Sequence, residues 1–215
     1  MKLFHINKDK LKLLIFFCGF YTDPECFMEF DNGTTDILFV YDYSDLNLDE
    51  LRYFDFSIYT EINLIAYSYG VFGANESYKA LPEINKSVAI SGTIYPIDEY
   101  YGIKPKIYDL MLNSFNEEVV KNFKAKMEID SGTIKNSKRS VENLKNELIG
   151  IKNYVLRNEI KQNFDFDKVI ITKKDRIIPY SSQKSFWELH NNIEEINCGH
   201  FPFFNYKDFD EILEI

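Results

Sequence analysis

The sequence predicts an α/β protein with a mostly parallel central sheet flanked by helices. Three observations predict it. Short apolar runs recur along the chain, helix-compatible segments separate them, and the chemically interesting residues fall just after the runs. In sheets of this kind functional groups gather at the carboxyl ends of strands. A chain of 215 residues suits one domain with a full core, and 45% hydrophobic with 16% aromatic content indicates a folded globular protein.

In chain order, residues 1–18 predict two short strands around the polar turn Asn7 to Lys10. The second, Leu11 to Cys18, is nearly all apolar, as a strand buried on both faces would be. It ends in Gly19-Phe20-Tyr21-Thr22-Asp23-Pro24, where a glycine lets backbone approach a ligand. Asp36 to Tyr41 predicts a third strand, Asp42 to Asp49 an acidic loop, and Leu51 to Tyr59 a short helical segment. Ile62 to Tyr67 is a strand that turns at Ser68, and Val71 to Ala80 is the helix after it, stopped by Pro82. Ser87 to Thr93 is the next strand. From about residue 101 to 163 no strong strand is visible. Amphipathic helices over Ile107–Met127 and Val141–Ile160, joined at Asp130-Ser131-Gly132, predict a helical cap inserted between core strands. The parallel pattern resumes at Phe166 to Thr172. A helix over Ser182–His190, a short strand over Ile193–Asn197 and a terminal helix from about Lys207 follow.

Charge and cysteine usage exclude several classes. A net charge of −9 argues against a nucleic-acid binder driven by phosphate contacts. The first residues do not have the form of a signal peptide, because Asn7-Lys8-Asp9-Lys10 interrupts the apolar start. The longest apolar run, Leu13 to Cys18, is too short to span a bilayer. Cys18, Cys26 and Cys198 are odd in number and lack C-x-x-C spacing, which argues against a disulfide framework or zinc site and fits a reducing cytoplasm. Cys18 and Cys198 are expected to be buried packing residues. Charge is also uneven along the chain. Residues 104–161 hold 12 Lys plus Arg against 8 Asp plus Glu, a net of +4, which leaves −13 on the rest. A basic helical segment on an acidic body suggests a cap that meets an acidic partner, although charge taken alone favours a plain solvated helix face.

The chemistry centres on Ala66-Tyr67-Ser68-Tyr69-Gly70, one residue away from the G-x-S-x-G nucleophile elbow. Where a strand doubles back into a helix, residues two either side of the serine must be small, and Ala66 and Gly70 are. Asp175 and His200 follow later strands, giving the chain order Ser…Asp…His of α/β-hydrolases. Serine needs an imidazole to take its proton, and the imidazole needs a carboxylate to fix its tautomer. Ser68, Asp175 and His200 are therefore the candidate catalytic residues. His5 and His190 are expected to be structural. The backbone N–H groups of Tyr69 and Phe20 are the candidate oxyanion hole. No metal is called for.

These stretches resemble the BioG-type pimeloyl-acyl-carrier-protein methyl ester esterases, a branch of the α/β-hydrolases. The resemblance is carried by Phe16-Phe17-Cys18-Gly19-Phe20, Ala66-Tyr67-Ser68-Tyr69-Gly70-Val71, Ser91-Gly92-Thr93 with Pro96 and Gly102-Ile103, Asp175-Arg176-Ile177-Ile178-Pro179 and Gly199-His200-Phe201-Pro202-Phe203. Phe20 stands where the branch usually has tryptophan, which keeps the backbone donor and alters a pocket wall. The resemblance implies hydrolysis of the methyl ester of pimeloyl-acyl-carrier protein in biotin synthesis, through an acyl-enzyme on Ser68 and without metal or organic cofactor. It also implies an acidic carrier protein as partner, for which Lys121, Lys124, Lys126, Lys138 and Arg139 form the candidate docking patch. A cytoplasmic monomer without nucleic-acid or membrane partners is expected. Two alternatives stay open: another acyl hydrolase of the same fold, such as a thioesterase or short-chain esterase, and a hydrolase-fold binding protein without turnover.

Overall fold

The computed structural model describes residues 1–127 and 135–214. Among these residues seven strands form one sheet: β1 (Lys2–Ile6), β2 (Lys12–Phe17), β3 (Asp36–Tyr41), β4 (Glu61–Tyr67), β5 (Lys86–Ile90), β6 (Lys168–Thr172) and β7 (Ile193–Ile196). Their order across the sheet is β1-β3-β2-β4-β5-β6-β7. Only β1 runs antiparallel to its neighbour, β3. The β2–β4 register pairs Phe17 with Ala66, and the β4–β5 register pairs Tyr67 with Ile90. The carboxyl ends of the central strands are thereby level, which puts the turns after β2, β4 and β5 side by side.

Burial follows the sequence pattern. Leu13 to Phe17, Leu38 to Val40 and Leu64 to Tyr67 are at most 2% exposed, as continuous apolar strands covered on both faces must be. Among the described residues there are seven α-helices: α1 (Asp49–Tyr53), α2 (Tyr69–Glu76), α3 (Pro105–Asn113), α4 (Glu117–Met127), α5 (Val141–Arg157), α6 (Tyr180–Trp187) and α7 (Phe209–Ile212). Several boundaries depart from the sequence reading for local reasons. The fifth strand stops at Ile90 because Ser91 takes a left-handed φ of 49°. The single helix expected over Ile107–Met127 is two. Asn116 Oδ1 accepts from the Glu118 and Val119 N–H groups and so starts α4 afresh, while the Ser114 hydroxyl donates to the Leu110 carbonyl. The helix after the elbow begins at Tyr69 itself and gives way to a 3₁₀ turn, Tyr78–Ala80. The joint expected at Asp130-Ser131-Gly132 lies outside the described residues.

The three helices α3, α4 and α5 all fall between β5 and β6. Their attachment to the body is polar as well as apolar. On α5 the buried stripe is Leu144, Glu147, Leu148 and Ile151. Gly150, on the same helix, sits so close to the Ser44 carbonyl oxygen that an added Cβ would lie 2.1 Å from it. Glu147 is fully buried; its carboxylate accepts from the Tyr43 N–H at 3.0 Å and pairs with the Arg139 guanidinium at 2.7 Å. Burial pushes the Glu147 carboxyl up from its ordinary value, and Arg139 pulls it back in part.

Candidate active site

The strand-to-helix turn at Ser68 is forced by close packing. Ser68 has φ 55° and ψ −119°, a strained conformation for a residue with a side chain. Its N–H donates to the Ile90 carbonyl at 2.8 Å, and its own carbonyl accepts from Val71 at 3.0 Å. A Cβ on Gly70 would lie 2.1 Å from the Phe17 carbonyl oxygen, a backbone atom that cannot swing aside. Only glycine allows α2 to start this close to β2. Ala66, on the other side of the turn, is fully buried between β2 and β5.

The structure brings the three candidate catalytic side chains together. His200 Nε2 lies 2.8 Å from Ser68 Oγ, and His200 Nδ1 lies 2.6 Å from Asp175 Oδ2. A carboxylate at Nδ1 requires the proton there, which leaves Nε2 as the acceptor for the serine hydroxyl. All three are buried, at 2% for Ser68, 1% for His200 and 9% for Asp175. Asp175 is held by the turn after β6: its Oδ1 accepts from the N–H groups of Ile177 and Ile178 at 2.8 and 3.0 Å. Its Oδ2 also accepts from Thr172 Oγ1 at 3.1 Å and from Gln183 Nε2 at 2.8 Å. The Tyr67 ring lies 5.3 Å from the His200 ring, within a cluster that includes Phe27, Phe201 and Phe203.

The two candidate oxyanion donors border this chain. A Cβ on Gly19 would lie 2.8 Å from Ser68 Cβ, so the turn after β2 runs against the serine. Thr22 closes that turn, donating to the Gly19 carbonyl through N–H at 3.2 Å and hydroxyl at 2.8 Å, with Tyr21 at φ 73°. Tyr69 is the first residue of α2, where a backbone N–H has no partner within its helix. Among the described residues neither the Phe20 nor the Tyr69 N–H donates to a backbone carbonyl outside the regular elements. The Tyr69 phenol lies beside that of Tyr108 on α3, and the Tyr108 hydroxyl donates to the Leu148 carbonyl of α5 at 2.9 Å. Phe115 and Phe123 pack on Phe20, with centroids 6.1 and 4.9 Å away. The inserted helices therefore touch the site at its candidate oxyanion residues.

The remaining sequence expectations divide. Lys121 and Lys126 are exposed on α4. Lys124 is partly exposed and donates to Asn136 Oδ1, and Lys138 pairs with Glu25 at 2.6 Å. Arg139 does not belong to a surface patch. Its side chain is 5% exposed, it pairs with Glu147, and its Nη2 lies 3.1 Å from Asp42 Oδ1, a charge contact outside hydrogen-bond angles. A buried guanidinium facing two carboxylates is an internal tie. Cys198 is partly exposed, whereas Cys18 is buried. Burial pushes the Cys18 thiol up and the Cys26 thiol up to about 12, so neither is ionised near neutral pH. The His190 ring nitrogens meet backbone groups of Phe166 and Asn192, and His5 meets Tyr59. Among the described residues no cluster of His, Cys, Asp and Glu could hold a metal, and no helix is long and apolar enough to cross a membrane. A cavity of about 630 Å³ is lined by Tyr101, Phe186, Trp187 and His190 and by no member of the Ser68 cluster.

Sequence reasoning missed Thr172 and Gln183 beside Asp175, and Glu147 beside Arg139. Thr172 and Gln183 carry no local signal. Glu147 does: it is a charged residue in the middle of an apolar helical stripe, and such a position calls for a buried partner.

Residues 1–212 match the family model of the pimeloyl-ACP methyl esterase BioG. A malonyl-[acyl-carrier protein] O-methyltransferase of Bacteroides fragilis is 32% identical over 200 residues, 87% of this chain; the chain spans about two-fifths of that relative's length. A crystal structure of BioG from Haemophilus influenzae superposes over all of both chains with a TM-score of 0.89 at 24% identity. An esterase from Exiguobacterium antarcticum superposes over 94% of this chain and 89% of its own with a TM-score of 0.66 at 15% identity. The fold is that of the α/β-hydrolases, and the chain belongs to the family described as the pimeloyl-ACP methyl esterase BioG.

Proposed function

We propose that this protein hydrolyses the methyl ester of pimeloyl-acyl-carrier protein during biotin synthesis, with Ser68, His200 and Asp175 as its catalytic triad. The observation that carries the reading is the unbroken hydrogen-bond chain from Ser68 Oγ through His200 to Asp175. Ser68 Oγ attacks the ester carbonyl as His200 Nε2 takes its proton, and Asp175 stabilises the imidazolium that forms. The Phe20 and Tyr69 N–H groups receive the oxyanion. His200 then protonates departing methanol, water attacks the acyl-enzyme with His200 as base, and the free pimeloyl carboxylate leaves on its carrier. No metal or organic cofactor enters these steps.

Residues 101–163 act in this reading as a cap on a single hydrolase domain. The triad is nearly closed to solvent, so entry of the ester needs the cap helices to part from Phe20. The acyl-carrier protein is the partner, docking on Lys121, Lys124, Lys126 and Lys138; the enzyme works as a monomer in the cytoplasm. The B. fragilis relative supports the substrate class. A malonyl-carrier methyltransferase makes a methyl ester on a carrier protein, and an esterase that removes one is its chemical complement.

The test offers purified protein the methyl pimeloyl-carrier conjugate, an acyl-thioester carrier conjugate and a fluorophosphonate probe. Methanol release from the first, with labelling that Ser68→Ala abolishes, supports the proposal. Preference for the thioester turns the assignment to another acyl hydrolase. Failure of wild type to label turns it to a binding protein. Rescue of a biotin auxotroph lacking its methyl esterase, lost in Ser68→Ala, places the activity in the pathway.

A further inference from the structure

We infer that Gln183 is a positioning residue for the hydrolytic reaction, acting through Asp175; the inference rests on the triad reading above. Gln183 is fully buried on α6, eight residues beyond Asp175. Its side-chain NH₂ has two protons and faces two acceptors, Asp175 Oδ2 at 2.8 Å and the Ile178 carbonyl at 2.7 Å. Its Oε1 is buried and has no partner among the described residues. That asymmetry settles which way the amide points. Turned over, the amide oxygen would face a carboxylate and a carbonyl at hydrogen-bond distance, so the side chain keeps its oxygen unsatisfied and gives both protons to the turn.

The two oxygens of Asp175 are held in different ways. Oδ1 receives two backbone N–H groups, from Ile177 and Ile178, which any residue but proline at those positions would supply. Oδ2 is the oxygen that faces His200, and it depends on side chains. Thr172 has a single proton and two acceptors in reach, Asp175 Oδ2 at 3.1 Å and Ser91 Oγ at 3.2 Å. Gln183 is the donor committed to Oδ2. By bonding the Ile178 carbonyl with its second proton, it also ties the turn that carries Asp175 to α6. The carboxylate is thus held at both oxygens with Oδ2 facing His200 Nδ1, and the Nε2 lone pair is aimed at Ser68 in consequence.

The experiment compares wild type with Gln183→Leu and Gln183→Glu, using a p-nitrophenyl ester and fluorophosphonate labelling, with thermal melts as the check on folding. A folded Q183L should lose about 10–100-fold in kcat with KM little changed, the scale seen where an outer carboxylate or carbonyl orients a metal-binding histidine. A folded Q183L with wild-type kcat overturns the inference. Q183E decides the matter if Q183L does not fold. Its introduced carboxyl can donate to Asp175 Oδ2 only while protonated, so its activity relative to wild type should fall as pH rises; a constant ratio across pH overturns the inference. Wild type that neither labels nor turns over removes the triad reading and this inference with it. Wild type that labels beside an unaffected Q183L removes the inference alone.

Discussion

The body and the inserted helices are built from the same kinds of residue but are held in place differently. In the body, strands of four to seven residues pair in register, and every side chain of the Ser68–His200–Asp175 chain sits in a turn just past a strand end. Position follows from the sheet. In the insert, three helices lean on the body through scattered contacts: Phe115 and Phe123 on Phe20, Tyr108 on Tyr69, and the buried Arg139–Glu147–Asp42 charges. A sheet places functional groups by register, which sequence patterns reveal. A helical insert places them by which face turns inward, and one misjudged face moves a charge from the surface to the core.

The largest expected effect breaks the chemistry of the body while leaving both regions folded. Ser68→Ala should lower esterase turnover by about 10⁶-fold, as removal of a triad serine does elsewhere, with the circular-dichroism spectrum unchanged. A residual rate within tenfold of wild type would remove Ser68 as nucleophile.

The next effect strikes the tie between the regions. Arg139→Ala leaves Glu147 buried without its partner and should destabilise the protein by about 3–5 kcal/mol, measured by urea unfolding. The pH dependence has a definite sign. Burial already raises the Glu147 carboxyl, and losing Arg139 raises it further. A carboxyl whose folded value is raised contributes most below its unfolded value and loses that contribution as pH rises through the folded one. The R139A deficit should therefore be greatest near neutral pH and shrink toward the ordinary carboxylate range. A deficit independent of pH would mean that Arg139 acts through packing alone.

A smaller loss is expected from Gly70→Ala, whose new methyl meets the Phe17 carbonyl. Overpacking of this kind costs about 1–3 kcal/mol, seen as a lowered melting temperature, and it should distort the Ser68 turn enough to reduce labelling as well. Unchanged melting would show that α2 can slide on β2, which would weaken the contrast between a rigid body and an adaptable insert.

The smallest effects lie on the outer face of the insert. Reversing Lys121, Lys124 and Lys126 should each weaken turnover of a carrier-bound ester by about two- to fivefold, the scale of exposed charge pairs, while sparing a small p-nitrophenyl ester. Equal losses on both substrates would count against docking there.

What the sequence by itself determined was the sheet and the points along it where chemistry can sit. Continuous apolar runs, the small residues around Ser68 and the order of Ser68, Asp175 and His200 are local patterns, and each has one structural solution that buries it. Tertiary structure alone decided which distant polar groups meet. Gln183 reaches Asp175 across a turn, and Arg139 turns inward to Glu147 and Asp42, away from the lysines it stands beside in the chain. The physical reason is that hydrophobic burial is written residue by residue, in spacing and size. The partner of a buried charge or amide is fixed by whatever the completed fold brings within hydrogen-bond distance.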